Sequence, residues 1–158
     1  MTPQELLKEI KCSHEFFNRS SRELAEADSK FSPTPGTLTV AQQVAHAAGT
    51  IEWFVEGAFS PKGFNDDFEG QAKKYLAVTS LTEARKWLDK AYANATEIIG
   101  SKSQADLNGL TAPGSIMGGQ TRWSALLGIV EHTAHHRGAL SVYTRLLGKV
   151  PPMPYMDM

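Results

Sequence analysis

Four long segments of the chain carry apolar side chains at the spacing of an α-helix, and stretches rich in proline and glycine separate them. The first segment opens on Thr2, with Pro3 next and Glu5 three residues after the threonine, which is a typical beginning for a capped helix. Thr39 and Ser80 open the second and third segments in a similar way. The pattern predicts an all-α protein, because no segment shows the alternation of a half-buried strand.

The breaks between these segments set the expected limits of each helix. We predict helices over residues 2–28, 39–57, 80–100 and 121–147. Between them we expect a loop at 32–37, a mixed region at 60–79 with a short helix near 70–77, and an irregular connection at 101–120. Four amphipathic helices favour a four-helix bundle, a fold in which ligand sites commonly lie between facing helices.

The composition restricts the classes of function. The 158 residues suit one domain, which we take as residues 1–158. A formal net charge of −1 provides no general attraction for nucleic acid or for an anionic membrane. The amino terminus is polar, and no apolar run approaches the roughly 20 residues that would cross a bilayer. The single cysteine, Cys12, fits a reducing compartment, so we expect a cytoplasmic protein without membrane or nucleic-acid partners.

Two histidines of the fourth helix interrupt a stripe that is otherwise apolar. His132 and His136 lie four residues apart, so both imidazoles leave the same side of the helix, which also carries Ile129 and Leu140. A buried polar ring without a partner costs about 1–3 kcal/mol, and a single metal ion would satisfy both rings. His46, in the second helix, is the candidate for a third ligand.

Alternatives to this metal site stay open at the level of sequence. His132 and His135, three residues apart, have a spacing that also suits one ion, but His135 leans toward the boundary of the apolar stripe. A lone core histidine such as His46 more often bonds a carbonyl or a side chain of another helix. A further interpretation has no metal at all, with each imidazole satisfied inside the core. For a pair four residues apart on an apolar stripe, we favour the metal.

No general acid or base stands out beside the candidate ligands. Glu52 and Glu131 are close to them in sequence but occupy other sides of their helices. Tyr143 suits either a hydrogen bond into a pocket or a structural role, and the second is commoner for a buried tyrosine. Arg137 suits an anionic substrate group, a salt bridge or a dimer contact equally well. The histidine run also lacks the glutamate of the zincin protease motif.

Three short motifs occur in a fixed order along the helices. They are Val44-Ala45-His46 in the second helix, His132-Thr133-Ala134-His135-His136-Arg137-Gly138 in the fourth, and Leu146-Leu147-Gly148 followed by Pro151-Pro152. Together they resemble the DinB-like, or YfiT-like, superfamily of damage-inducible helical proteins, which is distinct from the DNA polymerase of the same name. The likeness in helix order covers nearly the whole chain.

The resemblance implies an up-down-down-up four-helix bundle that binds a divalent metal, zinc or nickel among others, through three histidines. Carried over by position, these ligands are His46, His132 and His136. Family precedent also implies a homodimer. Glutamate and glutamine are common in the family where this chain has Thr133 and Ala139, so a polar contact made there by relatives is missing or displaced here.

Two classes of function are consistent with these expectations. Some relatives in the superfamily are thiol S-transferases and others are described as metal-dependent hydrolases, so the resemblance implies a metal-dependent enzyme acting on a small molecule such as a low-molecular-weight thiol. The alternative is a non-catalytic metal-binding scaffold of the stress response, because the sequence offers no acid–base partner. Three neutral imidazoles leave the ion open to either role and do not choose a reaction.

Overall fold

The computed structural model describes residues 1–156, and the described chain is helical throughout its core, as the sequence predicts. Its helices are α1 (Pro3–Ser21), α2 (Val40–Phe59), α3 (Phe68–Leu76), α4 (Leu81–Gly100), α5 (Gln104–Asn108), α6 (Arg122–Leu126) and α7 (Gly128–Leu146). The four long helices, α1, α2, α4 and α7, pack into a bundle around one shared apolar core. The expected all-α class and the four-helix bundle are therefore confirmed.

Helix α1 packs against α4, and the two helices run in opposite directions. The Ser13 hydroxyl lies 3.1 Å from the Tyr92 hydroxyl, whereas Ser21, two turns further along α1, is contacted by Arg85, two turns earlier in α4. Residue numbers therefore rise along one helix as they fall along the other. These pairs fix α1 and α4 as antiparallel neighbours.

Helices α2 and α4 begin at the same end of the bundle and run parallel. The Val40 amide donates to the Phe31 carbonyl, and the Leu81 amide donates to the Ser29 hydroxyl, so both helices start beside the turn that follows α1. Two parallel helices need a connection that travels back along the bundle. Helix α3 is that connection, and it packs along α2 on its return.

Helix α7 is antiparallel to α2 and completes the up-down-down-up order. Gln43, near the start of α2, bonds Tyr143 near the end of α7. Phe54, late in α2, packs against Gly128 at the start of α7, where an added Cβ would lie 2.3 Å from Phe54 Cε1. The expected topology is confirmed by these register pairs, which also place the middle of α2 beside the middle of α7.

Two of the long helices differ from the expected limits because of contacts with other elements. Helix α1 ends at Ser21, not near residue 28, and Arg85 of α4 donates a 2.6 Å hydrogen bond to the Ser21 carbonyl. The fourth helix is divided at Leu127 into α6 and α7. The close approach of Gly128 to Phe54 lies at this division, so the start of α7 is fixed by packing against α2.

The connecting regions also acquire helices. The short helix expected near residues 70–77 is present as α3, and the range 101–120, expected to be irregular throughout, contains α5. Ser103 and Asp106 form a reciprocal cap at the start of α5. Within residues 1–156, no helix is both long and apolar enough to cross a membrane.

Candidate metal centre

Three histidines converge between α2 and α7. The ring centroid of His46 lies 4.8 Å from that of His136 and 5.2 Å from that of His132, and the two α7 rings are 4.5 Å apart. Each residue offers a ring nitrogen, and these atoms all lie within 4.8 Å of one another. The antiparallel register of α2 and α7 thus brings together the three residues that the sequence singled out.

The donor set fits a divalent cation. A tetrahedral ion with metal–nitrogen bonds of about 2.0–2.1 Å holds its nitrogens about 3.4 Å apart. The ring nitrogens of the three histidines lie within 4.8 Å of one another, and His132 Nε2 is 2.9 Å from His136 Nε2. Small side-chain rotations would bring these nitrogens to the spacing of a tetrahedral ion. Among the described residues the cluster contains no carboxylate, and three imidazoles leave a coordination position for a small molecule. Ligation itself stays a prediction.

Burial keeps these imidazoles neutral. The pKa of His132 is lowered to about 4 and that of His136 to about 3, mainly by removal of the rings from water and secondly by the neighbouring imidazoles. Burial, followed by the nearby His135, also lowers the pKa of His46. Neutral imidazole is the form that binds metals, so the cluster is in the ligating form at neutral pH.

A chain of hydrogen bonds fixes which nitrogen of His136 carries the proton. The Leu38 carbonyl only accepts, so the Tyr143 hydroxyl, 3.0 Å away, donates to it. The Gln43 amide nitrogen then donates to the Tyr143 oxygen at 3.2 Å, which turns the Gln43 amide oxygen toward His136 Nδ1 at 2.5 Å. His136 therefore donates from Nδ1, and its Nε2 lone pair faces the other imidazoles.

Gln43 is the functional candidate that the sequence reasoning missed. Its side chain is only 8% exposed, although the residue is polar and belongs to an apolar stretch of α2. The available signal was its position three residues before His46, which places both side chains on one side of the helix. Tyr143, considered as a donor to a pocket, instead supports His136 indirectly through Gln43.

The remaining histidines lie outside this group. His135 is exposed, and its ring centroid is 6.2 Å from that of His132 and 5.0 Å from that of His136, but its ring nitrogens are not among those that converge within 4.8 Å. His14 belongs to another interface, where its ring stacks on Tyr92 at 4.2 Å and its Nε2 lies 2.7 Å from Asp89. The preference for His136 over His135 as the partner of His132 agrees with this placement.

A pocket opens on the side of His46 that faces α3 and α4. Its aromatic walls are Trp53, Trp87 and Tyr75, and the Tyr75 ring centroid is 4.3 Å from that of His46. Gly49 lets the Trp87 ring lie against α2, because a Cβ at Gly49 would already touch that ring at 3.4 Å. His46 is thus shared by the pocket and the three-histidine group.

The other residues considered from sequence take different places. Glu52 lines the pocket and accepts a 3.0 Å hydrogen bond from Trp87. It therefore belongs to the site, although it does not share the side of α2 that carries His46. Glu131 is exposed. Arg137 faces α1, with its guanidinium 5.8 Å from the Phe16 ring centroid.

The chain departs from the family pattern at Thr133 and Ala139. Neither side chain serves as a polar partner of the three imidazoles. The Thr133 hydroxyl is buried and donates to the Ile129 carbonyl at 2.7 Å, inside the same helix. A polar partner for the histidines is nevertheless present, because Gln43 reaches His136 from α2. The supporting contact is thus supplied by the facing helix.

Comparison with known proteins supports the same fold. The model of the DinB family matches residues 1–158, which confirms the resemblance of the motifs. No curated protein matches the chain significantly. A DinB-like protein from Bacillus cereus is 19% identical, with a TM-score of 0.78 over 96% of this chain and 97% of that one. A DinB-like protein from Bacillus subtilis is 15% identical, with a TM-score of 0.67 over 97% and 99%.

Proposed function

We propose that this chain, which belongs to the DinB family, is a metal-dependent enzyme that acts on a small molecule in the pocket beside His46. We assign the metal ligands to His46, His132 and His136, and we expect zinc or nickel, since imidazole nitrogen suits both. One observation carries the proposal: three neutral imidazoles, that of His136 buried and the other two half-buried, converge at the edge of an open pocket.

The site divides its chemistry between the ion and the chain. A divalent ion held by three neutral imidazoles would act as a Lewis acid toward a thiol, a water molecule or a carbonyl. Gln43 keeps the proton of His136 on Nδ1 and so keeps Nε2 free to ligate. Trp53, Trp87 and Tyr75 line the pocket and provide apolar contacts for the body of a substrate.

Transfer involving a low-molecular-weight thiol is the reaction we favour, with hydrolysis second. A thiol has an ordinary pKa of about 8.5, so a nearby cation suffices to make the thiolate abundant at neutral pH. Hydrolysis of an amide or an ester also requires proton delivery to a poor leaving group, which needs a positioned acid. Of the two carboxylates in the described pocket lining, Glu52 accepts a hydrogen bond from Trp87 and Glu56 lies ten residues beyond His46 in α2, so neither is placed at the three histidines as such an acid.

Metal analysis of protein purified without a histidine tag tests the ligand assignment. The wild type is expected to contain about one equivalent of metal, and the His132→Ala variant is expected to lose it. His135→Ala is the matched control, because this neighbouring histidine is exposed and lies outside the converging group. Equal metal loss in both variants, with folding verified by circular dichroism, would contradict the assignment.

Turnover separates the enzyme from the alternative, a non-catalytic metal-binding scaffold. The assay combines small thiols with a chromogenic electrophile, and in parallel supplies nitrophenyl esters for hydrolysis. Activity that disappears on chelation and in His132→Ala but persists in His135→Ala supports the enzyme. Stoichiometric metal with no turnover in either assay supports the scaffold.

We also propose that the protein forms a homodimer in the cytoplasm, as family precedent suggests. Val142 and Leu146 of α7, together with Val150 beyond it, expose more than half of their surface, at 55%, 59% and 81% respectively. Val142 and Leu146 lie one turn apart on the same side of α7, and exposed apolar surface of this kind favours association between protein chains. Light scattering coupled to gel filtration measures the mass directly, and a mass of one chain at micromolar concentration would contradict the dimer.

A further inference from the structure

The pocket beside His46 has charged groups of opposite sign along its length. Glu52 and Glu56 line it from α2, and Lys74 lines it from α3. Glu52 and Glu56 follow His46 by six and ten residues, which corresponds to about 9 Å and 15 Å along the helix axis. The two carboxylates therefore occupy the part of the pocket that is further from the three histidines.

The basic group lies toward the histidine end. Lys74 directly precedes Tyr75, whose ring centroid is 4.3 Å from that of His46. Helix α3 runs antiparallel to α2, since Phe68 at its start packs near Trp53 while Tyr75 at its end packs near His46. The pocket is thus positive near the histidines and negative at its other end, with aromatic walls between.

The aromatic walls are fixed by polar contacts at their edges. Trp87 Nε1 donates to Glu52, and Trp53 Nε1 donates to the Asn65 carbonyl at 2.7 Å. Each indole is anchored through its only donor, so the rings present surfaces against which an apolar group or a cation can pack. The hydrogen bond from Trp87 also orients the Glu52 carboxylate beside an indole, a combination that favours an ammonium group.

We propose that this pocket binds a zwitterionic small molecule with an apolar body, placing its ammonium group by Glu52 and Glu56 and its anionic group toward Lys74 and the three histidines. Such a molecule is a substrate only if the proposed enzymatic function holds, and the inference rests on that function to this extent. The binding preference itself depends on the pocket charges and is measurable without turnover.

Three para-substituted benzenes that share one skeleton test the charge preference. 4-(Aminomethyl)hydrocinnamate is zwitterionic with its charges at opposite ends of an apolar ring, 4-propylbenzylamine retains only the ammonium group, and 4-methylhydrocinnamate retains only the carboxylate. Their affinities are measured by calorimetry and by quenching of tryptophan fluorescence, because Trp53 and Trp87 line the pocket. We expect the zwitterion to bind at least about tenfold more tightly than either singly charged compound. Equal affinities of the three compounds would overturn the proposal.

Variants assign each charge to its partner. Glu52→Gln is expected to weaken the zwitterion and the ammonium compound by about threefold to tenfold and to leave the carboxylate compound unchanged or tighter. Lys74→Met is expected to weaken the zwitterion and the carboxylate compound instead. Lys73→Met is the matched control, because Lys73 is the adjacent lysine of α3 but pairs with Glu69 outside the pocket. The same loss for all three compounds in every variant would contradict the proposed orientation.

The measurements are repeated in the presence of a chelator to separate this inference from the metal-dependent function. Charge preference that persists after chelation supports the pocket assignment even if no turnover is found. Metal-dependent turnover in the thiol or ester assay, combined with equal binding of the three compounds, would overturn the substrate class alone. The two proposals therefore fail on different observations.

Discussion

Two interfaces of the bundle contain histidines, and they satisfy the imidazoles in different ways. Between α1 and α4, His14 has a carboxylate partner in Asp89 and an aromatic partner in Tyr92. Between α2 and α7, the rings of the three-histidine group face one another, and the hydrogen-bond partner of His136 outside the group is the amide of Gln43. Both interfaces are antiparallel helix contacts, so the direction of packing does not distinguish them.

The difference shows which observation identifies a candidate ligand. The carboxylate of Asp89 and the amide oxygen of Gln43 each contact one nitrogen of their imidazole, so the partner at that first nitrogen does not distinguish the two interfaces. The amide oxygen of Gln43 holds the proton of His136 on one nitrogen and leaves the other nitrogen as an acceptor aimed at the group. To recognise a candidate metal ligand, the contact made by the second ring nitrogen is therefore more informative than the number of histidines on a helix face.

Removal of one ring from each interface is the strongest test of this comparison. His136→Ala is expected to abolish stoichiometric metal binding, a loss larger than the about 10–100-fold that follows removal of an outer partner. His14→Ala is expected to retain full metal content. Competition titration against a chromophoric chelator gives both affinities. Metal binding that survives in His136→Ala and fails in His14→Ala would reverse the assignment of the two interfaces.

Acid should destabilise the metal-free protein through the α2–α7 interface. The pKa values of His132 and His136 are lowered from 6.5 to about 4 and about 3, so the unfolded chain binds protons that the folded chain excludes. The contribution of each histidine to the free energy of unfolding is fully present above pH 6.5. It is lost as the pH falls toward the pKa of that histidine in the folded protein, by at most about 1.4 kcal/mol per pH unit.

Urea unfolding of chelated protein at several pH values measures this loss. The His132→Ala variant should show a weaker dependence on pH between 6.5 and 4. The His14→Ala variant should retain the dependence of the wild type in the same range. An unchanged slope in His132→Ala would mean that other groups cause the acid sensitivity.

Loss of the amide that orients His136 is expected to have an intermediate effect. Gln43→Leu removes the acceptor for His136 Nδ1 and should weaken metal binding by about 10–100-fold. Ser13→Ala is a suitable control, because Ser13 is a buried polar residue that contacts Tyr92 at the other interface. It should leave metal affinity unchanged. Equal affinities in the two variants would show that the amide does not orient the ligand.

The smallest effect is expected at the interface between α1 and α4. His14→Ala removes a partly exposed pair with Asp89 and a stacking contact with Tyr92, and should reduce the free energy of unfolding by about 1 kcal/mol or less. Urea unfolding at neutral pH measures the change. A loss of several kcal/mol would mean that this interface depends on its histidine as strongly as the other one does.

Local sequence was sufficient for much of the fold. The capping pairs Thr2 with Glu5 and Thr39 with Gln42 form reciprocal hydrogen bonds where they were predicted. These signals act within one turn of helix, so they do not depend on the rest of the chain. The convergence of His132 with His136 is local in the same sense, since four residues on one helix fix their relative direction.

The sequence was less informative where two helices meet. It gave no sign that Arg85 would cap the end of α1, or that Gly128 would rest against Phe54 and divide the fourth helix. It also left Glu52 outside the site, although the pocket extends along α2 to include it. In each case the deciding contact joins residues that are far apart in the chain.

The amino-acid sequence by itself determined the helices, most of their limits and the side of α7 on which the histidine pair lies, because helix propensity, capping and periodicity act over a few residues. The tertiary structure decided that His46 meets this pair, that Gln43 orients His136, and that an aromatic pocket with opposite charges at its ends opens beside them. These features depend on the register of α2 against α7 and α3, which the packing of side chains from separate helices sets.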